Sequence, residues 1–149
     1  MTTADDTTPA RLAGTPTWLI SQTAAHAHRL LSGTFAAADS RGYHYRLLAA
    51  LESGPASQAT LGRRSGIDRS DVVAALNELG ARGLVDRTPD PADHRRNIVT
   101  ITPAGATSLQ RLESLVAGVQ DELLAPLPPD EREQLIRLLT RVLAHHASL

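Results

Sequence analysis

The chain has 149 residues, 42% of them hydrophobic, which suits one packed domain and excludes a disordered tail. Its charges nearly cancel, with 15 basic against 16 acidic residues, so nucleic-acid binding requires local placement rather than a generally basic surface. All the basic residues besides His are Arg, and the lack of Cys excludes disulfides, thiol chemistry and Cys-ligated zinc.

Residues 1–14 carry Asp5, Asp6, Pro9 and Gly14 without periodicity and are expected to form a disordered tail. They show no basic-then-apolar secretion pattern, and no apolar run reaches membrane-span length, so a cytoplasmic protein without a membrane partner is expected. Thr15-Pro16 offers an N-cap with proline at the first helical position. Trp18, Leu19, Thr23, His26, Leu30 and Leu31 continue at three- and four-residue steps, predicting a helix to about Ala38. Asp39 to Gly42 breaks it, and a short helix carrying Tyr43, Arg46, Leu47, Ala50 and Leu51 ends at Ser53-Gly54-Pro55.

A compact helix pair follows, Gln58 to Ser65 and Asp68 to Arg82, joined by a turn at Gly66-Ile67. Asp68 stands at the N-cap, with Asp71 three residues on resembling a capping box. Val72, Leu76, Leu79 and Gly83 share the face expected to be buried, leaving Ser70, Ala74, Asn77 and Ala81 outward beside Asp71 and Glu78. Two β-branched runs, Leu84 to Thr88 and Asn97 to Thr102, then bracket Pro89 to Arg96, predicting a hairpin with a long tip. Thr102-Pro103 opens a helix with Leu109, Leu112, Val116, Val119 and Leu123 on one stripe. After the break at Pro126 to Pro129, Asp130-Glu131 opens a last helix with Leu135, Leu138, Leu139, Val142 and Leu143. The fold class expected is mainly α with a small β-hairpin wing, a winged helix-turn-helix.

Residues 41–100 hold nine Arg against seven acids, whereas residues 101–149 hold four against six. The local excess falls on Arg63, Arg64, Arg69, Arg95 and Arg96. Such an asymmetry suits groove binding, because phosphate neutralisation supplies most non-specific affinity.

Several segments, in order, carry a resemblance to a known family. They are Gly54-Pro55-Ala56-Ser57-Gln58 leading to Leu61, Gly66-Ile67-Asp68-Arg69-Ser70, Leu79-Gly80-Ala81-Arg82-Gly83-Leu84-Val85, Asp90-Pro91-Ala92-Asp93-His94-Arg95 and Thr102-Pro103-Ala104-Gly105. With the closing Asp130-Glu131-Arg132, they make the chain resemble the multiple-antibiotic-resistance regulator (MarR) family of winged-helix transcription factors. The resemblance implies a homodimer on double-stranded DNA, most simply a ligand-responsive repressor on a pseudo-palindromic operator. It assigns residues 15–42 and 103–149 to dimerisation and residues 43–102 to DNA binding. The apolar stripes at Leu109 to Leu123 and Leu135 to Leu143 agree, since they exceed what one small domain is expected to cover.

By the same resemblance, Arg69 and Ser70 begin the recognition helix, and Asp93 orients Arg95 toward the minor groove while Arg96 tracks phosphate. Arg63, Arg64, Ala74 and Asn77 complete the candidate DNA face. Asp71 stands where Thr is common, and either accepts from a cytosine amino group or caps the helix. His94, where Arg is usual, can add a pH-dependent wing charge. A small aromatic or anionic effector is the further partner implied, with Trp18, His26, Arg29, Tyr43, His44, Tyr45 and Arg46 as candidate pocket residues. No cofactor is expected. His26 and His28 point to different sides of a helix, and no His pair has the i, i+4 ligand spacing, so no metal is expected. Without a phosphate loop or nucleophile elbow, no enzyme is expected. The alternative is a winged-helix protein-interaction module without direct DNA binding, favoured by the acidic positions Asp71 and Glu78.

Overall fold

The structure, a computed structural model that describes residues 7–148, runs through α1 (Ala10–Ala13), α2 (Pro16–Ala37), α3 (Gly42–Ala50), β1 (Ala56–Ser57) and α4 (Gln58–Ser65). It continues through α5 (Arg69–Ala81), β2 (Val85–Asp90), β3 (Asp93–Ile101), α6 (Pro103–Leu123) and α7 (Pro129–Ala147). The mostly helical class with an antiparallel wing is the one predicted. Residues 1–6 of the expected tail lie outside the described residues, but Ala10–Ala13 form a helical turn. The Thr15 hydroxyl donates back to the Leu12 carbonyl at 2.8 Å instead of capping α2.

The helix pair is closed by local chemistry. Ser57 caps α4, its hydroxyl accepting from the Thr60 N–H at 3.2 Å. Gly66, at φ +66°, lets the chain turn sharply into α5. Asp68 occupies the α5 N-cap, yet its side chain makes no capping bond. At the other end of α5, the Gly83 N–H bonds the Gly80 carbonyl and the Leu84 N–H bonds the Leu79 carbonyl, with Gly83 at φ +72°. That is a Schellman stop, so Gly83 lies exposed beyond the helix instead of on its buried face. Ala75 takes the expected place beside Val72, Leu76 and Leu79.

Helix α3 is the hub, touching α2, α4, α5 and α6. Its Leu47 and Leu48, with Leu51 at its C-cap, pack with Leu61, Ile67, Val72, Leu76, Leu79, Val85 and Val99 in one core that also takes Phe35 of α2. Full burial of each such leucine contributes about 1.5–3 kcal/mol, which sets the helix-turn-helix rigidly on α3. The α6 stripe joins the same core through Leu109, Leu112 and Val116, with Val119 also buried. This corrects the expectation that the α6 stripe covers a partner. An apolar period reports burial, not which chain supplies the cover. The last helix differs, because α7 buries none of its described residues. Ile136, Leu138, Leu139, Val142 and Leu143 all stand exposed, as do Leu19 and Ile20 near the start of α2.

The sheet has strand order β1-β3-β2, with β1 pairing Ala56 to Val99. Two residues carry too little pattern to reveal β1 in advance. Strands β2 and β3 extend farther than expected and pinch the tip to Pro91-Ala92. The register jumps from Pro89 opposite Asn97 to Asp90 opposite Asp93, leaving His94, Arg95 and Arg96 without partners on β2. Pro89 is tolerated there because β2 is an edge strand. The long polar insert is therefore a bulged ribbon, and a bulge re-aims side chains.

Candidate nucleic-acid interface and its neighbouring cavity

The bulge delivers charge to one face. Arg95 and Arg96 of β3 meet Arg69 of α5 around a concavity that Ser57, Gln58, Ala59, Val72 and Asn97 complete. The Asn97 amide donates to Gln58 Oε1 at 3.4 Å, tying the wing to α4. Asp93 holds Arg95 twice, accepting from its backbone N–H and from its Nε, each at 3.1 Å. The Arg95 side chain first, then its backbone N–H, keep the Asp93 carboxyl below its ordinary value. An ionised Asp93 thus holds the Nε edge of the Arg95 guanidinium while the rest of the side chain reaches into solvent. Arg63 and Arg64 lie exposed on α4, with Arg63 donating to the Thr60 hydroxyl at 3.2 Å. Ser70, Ala74 and Asn77 are exposed along α5, as expected of an outward face. Asp71 caps nothing: its carboxylate makes no hydrogen bond to the described residues and borders a small cleft between α3 and α5.

Glu78 departs from the expected outward acid. Its Oε2 meets His44 Nε2 at 2.6 Å and its Oε1 lies 3.4 Å from Arg41. His44 is buried in α3, where burial lowers its pKa despite the bond to Glu78. That same bond is the main reason Glu78 stays below the ordinary carboxylate value. The pair is therefore a neutral imidazole donating to a carboxylate, a clamp between α3 and α5. Because the folded chain resists protonating His44, stability is full above the ordinary His value of 6.5 and falls as the pH drops below it. Glu78 adds a further loss as the pH falls past its ordinary value of 4.5. Thermal unfolding between pH 7 and pH 5 is expected to show this decline. His44→Gln, which retains an N–H for Glu78 but cannot titrate, should flatten the slope; an unchanged slope would remove His44 as its source.

Beside α3, on the side away from α5, lies a cavity of about 490 Å³. Leu31, Phe35, Tyr45 and Val116 form apolar walls, while His28, Ser32, Arg41, Tyr43, Arg46 and Gln120 supply polar groups. Burial is the main cause holding the Tyr45 phenol above its ordinary pKa, so it stays a hydrogen-bond donor. Of the expected pocket residues, Tyr43, Tyr45 and Arg46 are here. Trp18, His26 and Arg29 are not: Trp18 sits too early on α2, and exposed His26 and Arg29, which engage each other, lie off the helix face that carries His28, Leu31, Ser32 and Phe35. His44 faces the opposite way, into the α5 clamp. Arg41, His28, Phe35 and Gln120 join Tyr43, Tyr45 and Arg46 without a signal in the sequence, since α6 and the end of α2 meet α3 only after folding.

A MarR family model matches residues 40–96, the segment from Ser40 to Arg96. A transcriptional regulatory protein for the hcr operon of Thauera aromatica is 35% identical over 99 residues, which are 66% of this chain and 60% of that protein. The chain thus spans about three fifths of the length of that curated relative. The PcaV transcriptional regulator of Streptomyces coelicolor, solved with its natural ligand, is 33% identical with a TM-score of 0.78, covering 93% of this chain and 98% of that one. A MarR variant of E. coli complexed with operator DNA is 27% identical with a TM-score of 0.74, covering 84% of this chain and 91% of that one.

Proposed function

Since the chain belongs to the MarR family of transcriptional regulators, we propose that it is a cytoplasmic homodimer that binds a pseudo-palindromic operator and represses transcription until a small effector releases it. The observation that carries this reading is the convergence of Arg69, Arg95 and Arg96 on one concave face between recognition helix and wing. Arginines grouped this way neutralise phosphates of one duplex, and a ribbon-borne Arg suits the negative potential of a narrow minor groove. In the major groove, Ser70, Ala74 and Asn77 lie on the outward side of α5. Asp71, free of any capping role, is available to accept from a cytosine amino group. Residues 15–42 and 103–149 supply the dimer contact, with the uncovered apolar face of α7 as its main element. Two recognition helices held by such a contact meet half-sites about 34 Å apart.

An aromatic or anionic effector fits the cavity beside α3, where apolar walls adjoin two guanidinium groups. The protein-interaction alternative loses its better support, because Glu78 is engaged by His44 and Arg41 within the chain.

Arg95→Ala tests the reading. Fluorescence anisotropy with a duplex from the region upstream of the chain's own coding sequence should show a loss of about 1–3 kcal/mol in binding free energy. Affinity and salt dependence equal to the unsubstituted protein's would remove the wing from the interface.

A further inference from the structure

Both cations that line the cavity are held from behind by the helix-turn-helix. Arg41 Nη1 lies 3.4 Å from Glu78 Oε1 on α5. Arg46 Nη2 donates to the Gly66 carbonyl, in the turn between α4 and α5, at 3.4 Å and stacks 5.9 Å from the Tyr43 ring centre. Charge-assisted hydrogen bonds of full strength are about 2.7–2.9 Å, so both ties are long. Arg41 and Tyr43 also border the small cleft that holds Glu78 and Asp71, and so form the partition between cavity and recognition helix. Among the described residues, no carboxylate lines the cavity itself.

We infer that Arg41 is an exchange residue, which pairs with Glu78 when the cavity is empty and leaves it for the carboxylate of an aromatic effector. This rests on the reading of the chain as an effector-responsive DNA-binding protein, and adds the charge of the effector and the contact through which it acts. Arg41 is exposed at the edge of the partition and is free to swing. Its departure leaves Glu78 held by His44 alone, which removes one of the polar ties between α5 and the α2–α3 segment and leaves the Arg82–Asp39 contact at the C-terminal end of α5 in place. Arg46 lies on the same wall, where an anion also competes with the Gly66 carbonyl for its guanidinium. An effector shifts an equilibrium only by its differential affinity for the two arrangements, and the Arg41–Glu78 pair supplies that difference.

Linkage makes the coupling reciprocal. If an effector must take Arg41 from Glu78, neutralising Glu78 must help the effector bind. Glu78→Gln preserves an oxygen for the His44 N–H and surrenders the charge that holds Arg41. An exposed ion pair of this kind is worth enough to tighten anion binding about two- to fivefold.

The experiment titrates benzoate, with benzamide as its neutral counterpart, into the full chain by isothermal calorimetry, and measures duplex binding on the same samples. Expected are preference for benzoate in the unsubstituted protein, tighter benzoate binding in Glu78→Gln, and a weakened preference in Arg41→Gln, where Arg46 alone remains. Benzoate should also release DNA from the unsubstituted protein more readily than from Glu78→Gln. Equal benzoate affinity in Glu78→Gln, an undiminished preference in Arg41→Gln, or no preference in the unsubstituted protein would each overturn the exchange while leaving DNA binding intact. If no variant binds the duplex yet benzoate follows the expected order, the regulatory reading fails and the exchange of Arg41 stands.

Discussion

Replacing Ile136 and Leu143 together with Glu is expected to give a folded chain that sediments as a monomer and binds its upstream duplex at least about 100-fold more weakly. The two side chains are 59% and 70% exposed, and α7 buries none of its described residues, so two carboxylates there disturb no core. They would instead fill an apolar face with charge that a partner must desolvate. A dimer engages its second half-site from a high effective concentration, an advantage of about 10²–10⁴ that a monomer forfeits. Sedimentation equilibrium and anisotropy on the same preparation separate the steps. A double variant that stays dimeric, or a monomer that keeps its affinity, would show that α7 does not hold the DNA-binding form together.

Gly105→Ala is expected to cost about 3 kcal/mol or more of stability, read as a lower urea midpoint at unchanged slope. Gly105 is buried where the first turn of α6 crosses the start of the wing. A methyl group built there would overlap the Leu84 carbonyl oxygen and approach Cγ1 of Ile101 to 2.8 Å. Neither the Leu84 backbone nor the helix can withdraw, because the Leu84 carbonyl accepts from the Thr102 N–H at 3.1 Å. The Thr102 hydroxyl also donates to the Gly83 carbonyl at 2.7 Å while accepting from the Gly105 N–H at 3.0 Å. The joint therefore sets the angle between wing and α6. A stability loss below about 1 kcal/mol would mean that the crossing yields easily.

Much of this was legible because periodicity is local. The spacing of Val72, Leu76 and Leu79 announces the inner face of α5, and Gly66-Ile67 announces the turn. The β-branched runs mark the wing. What the sequence conceals depends on meetings across distance. Glu78 looks like a surface acid until α3 brings His44 against it, and His44 looks like a pocket residue for the same reason. The stripes of α6 and α7 read alike, yet one closes the core of its own chain and the other stays open. The polar run Pro89 to Arg96 looks like loop, since a bulged edge ribbon keeps its side chains in water and writes no alternation. The cavity is the least visible element, being built from the end of α2, from α3 and from two residues of α6, of which Gln120 has no local signal and Val116 shows only as part of an apolar stripe.

The central claim, that paired winged helices grip one duplex, is most directly tested by sedimentation velocity of a fluorescently labelled upstream duplex titrated with the chain at two salt concentrations. The predicted result is a complex of two chains per duplex whose population falls steeply as salt rises. A complex holding one chain, or one indifferent to salt, would contradict it.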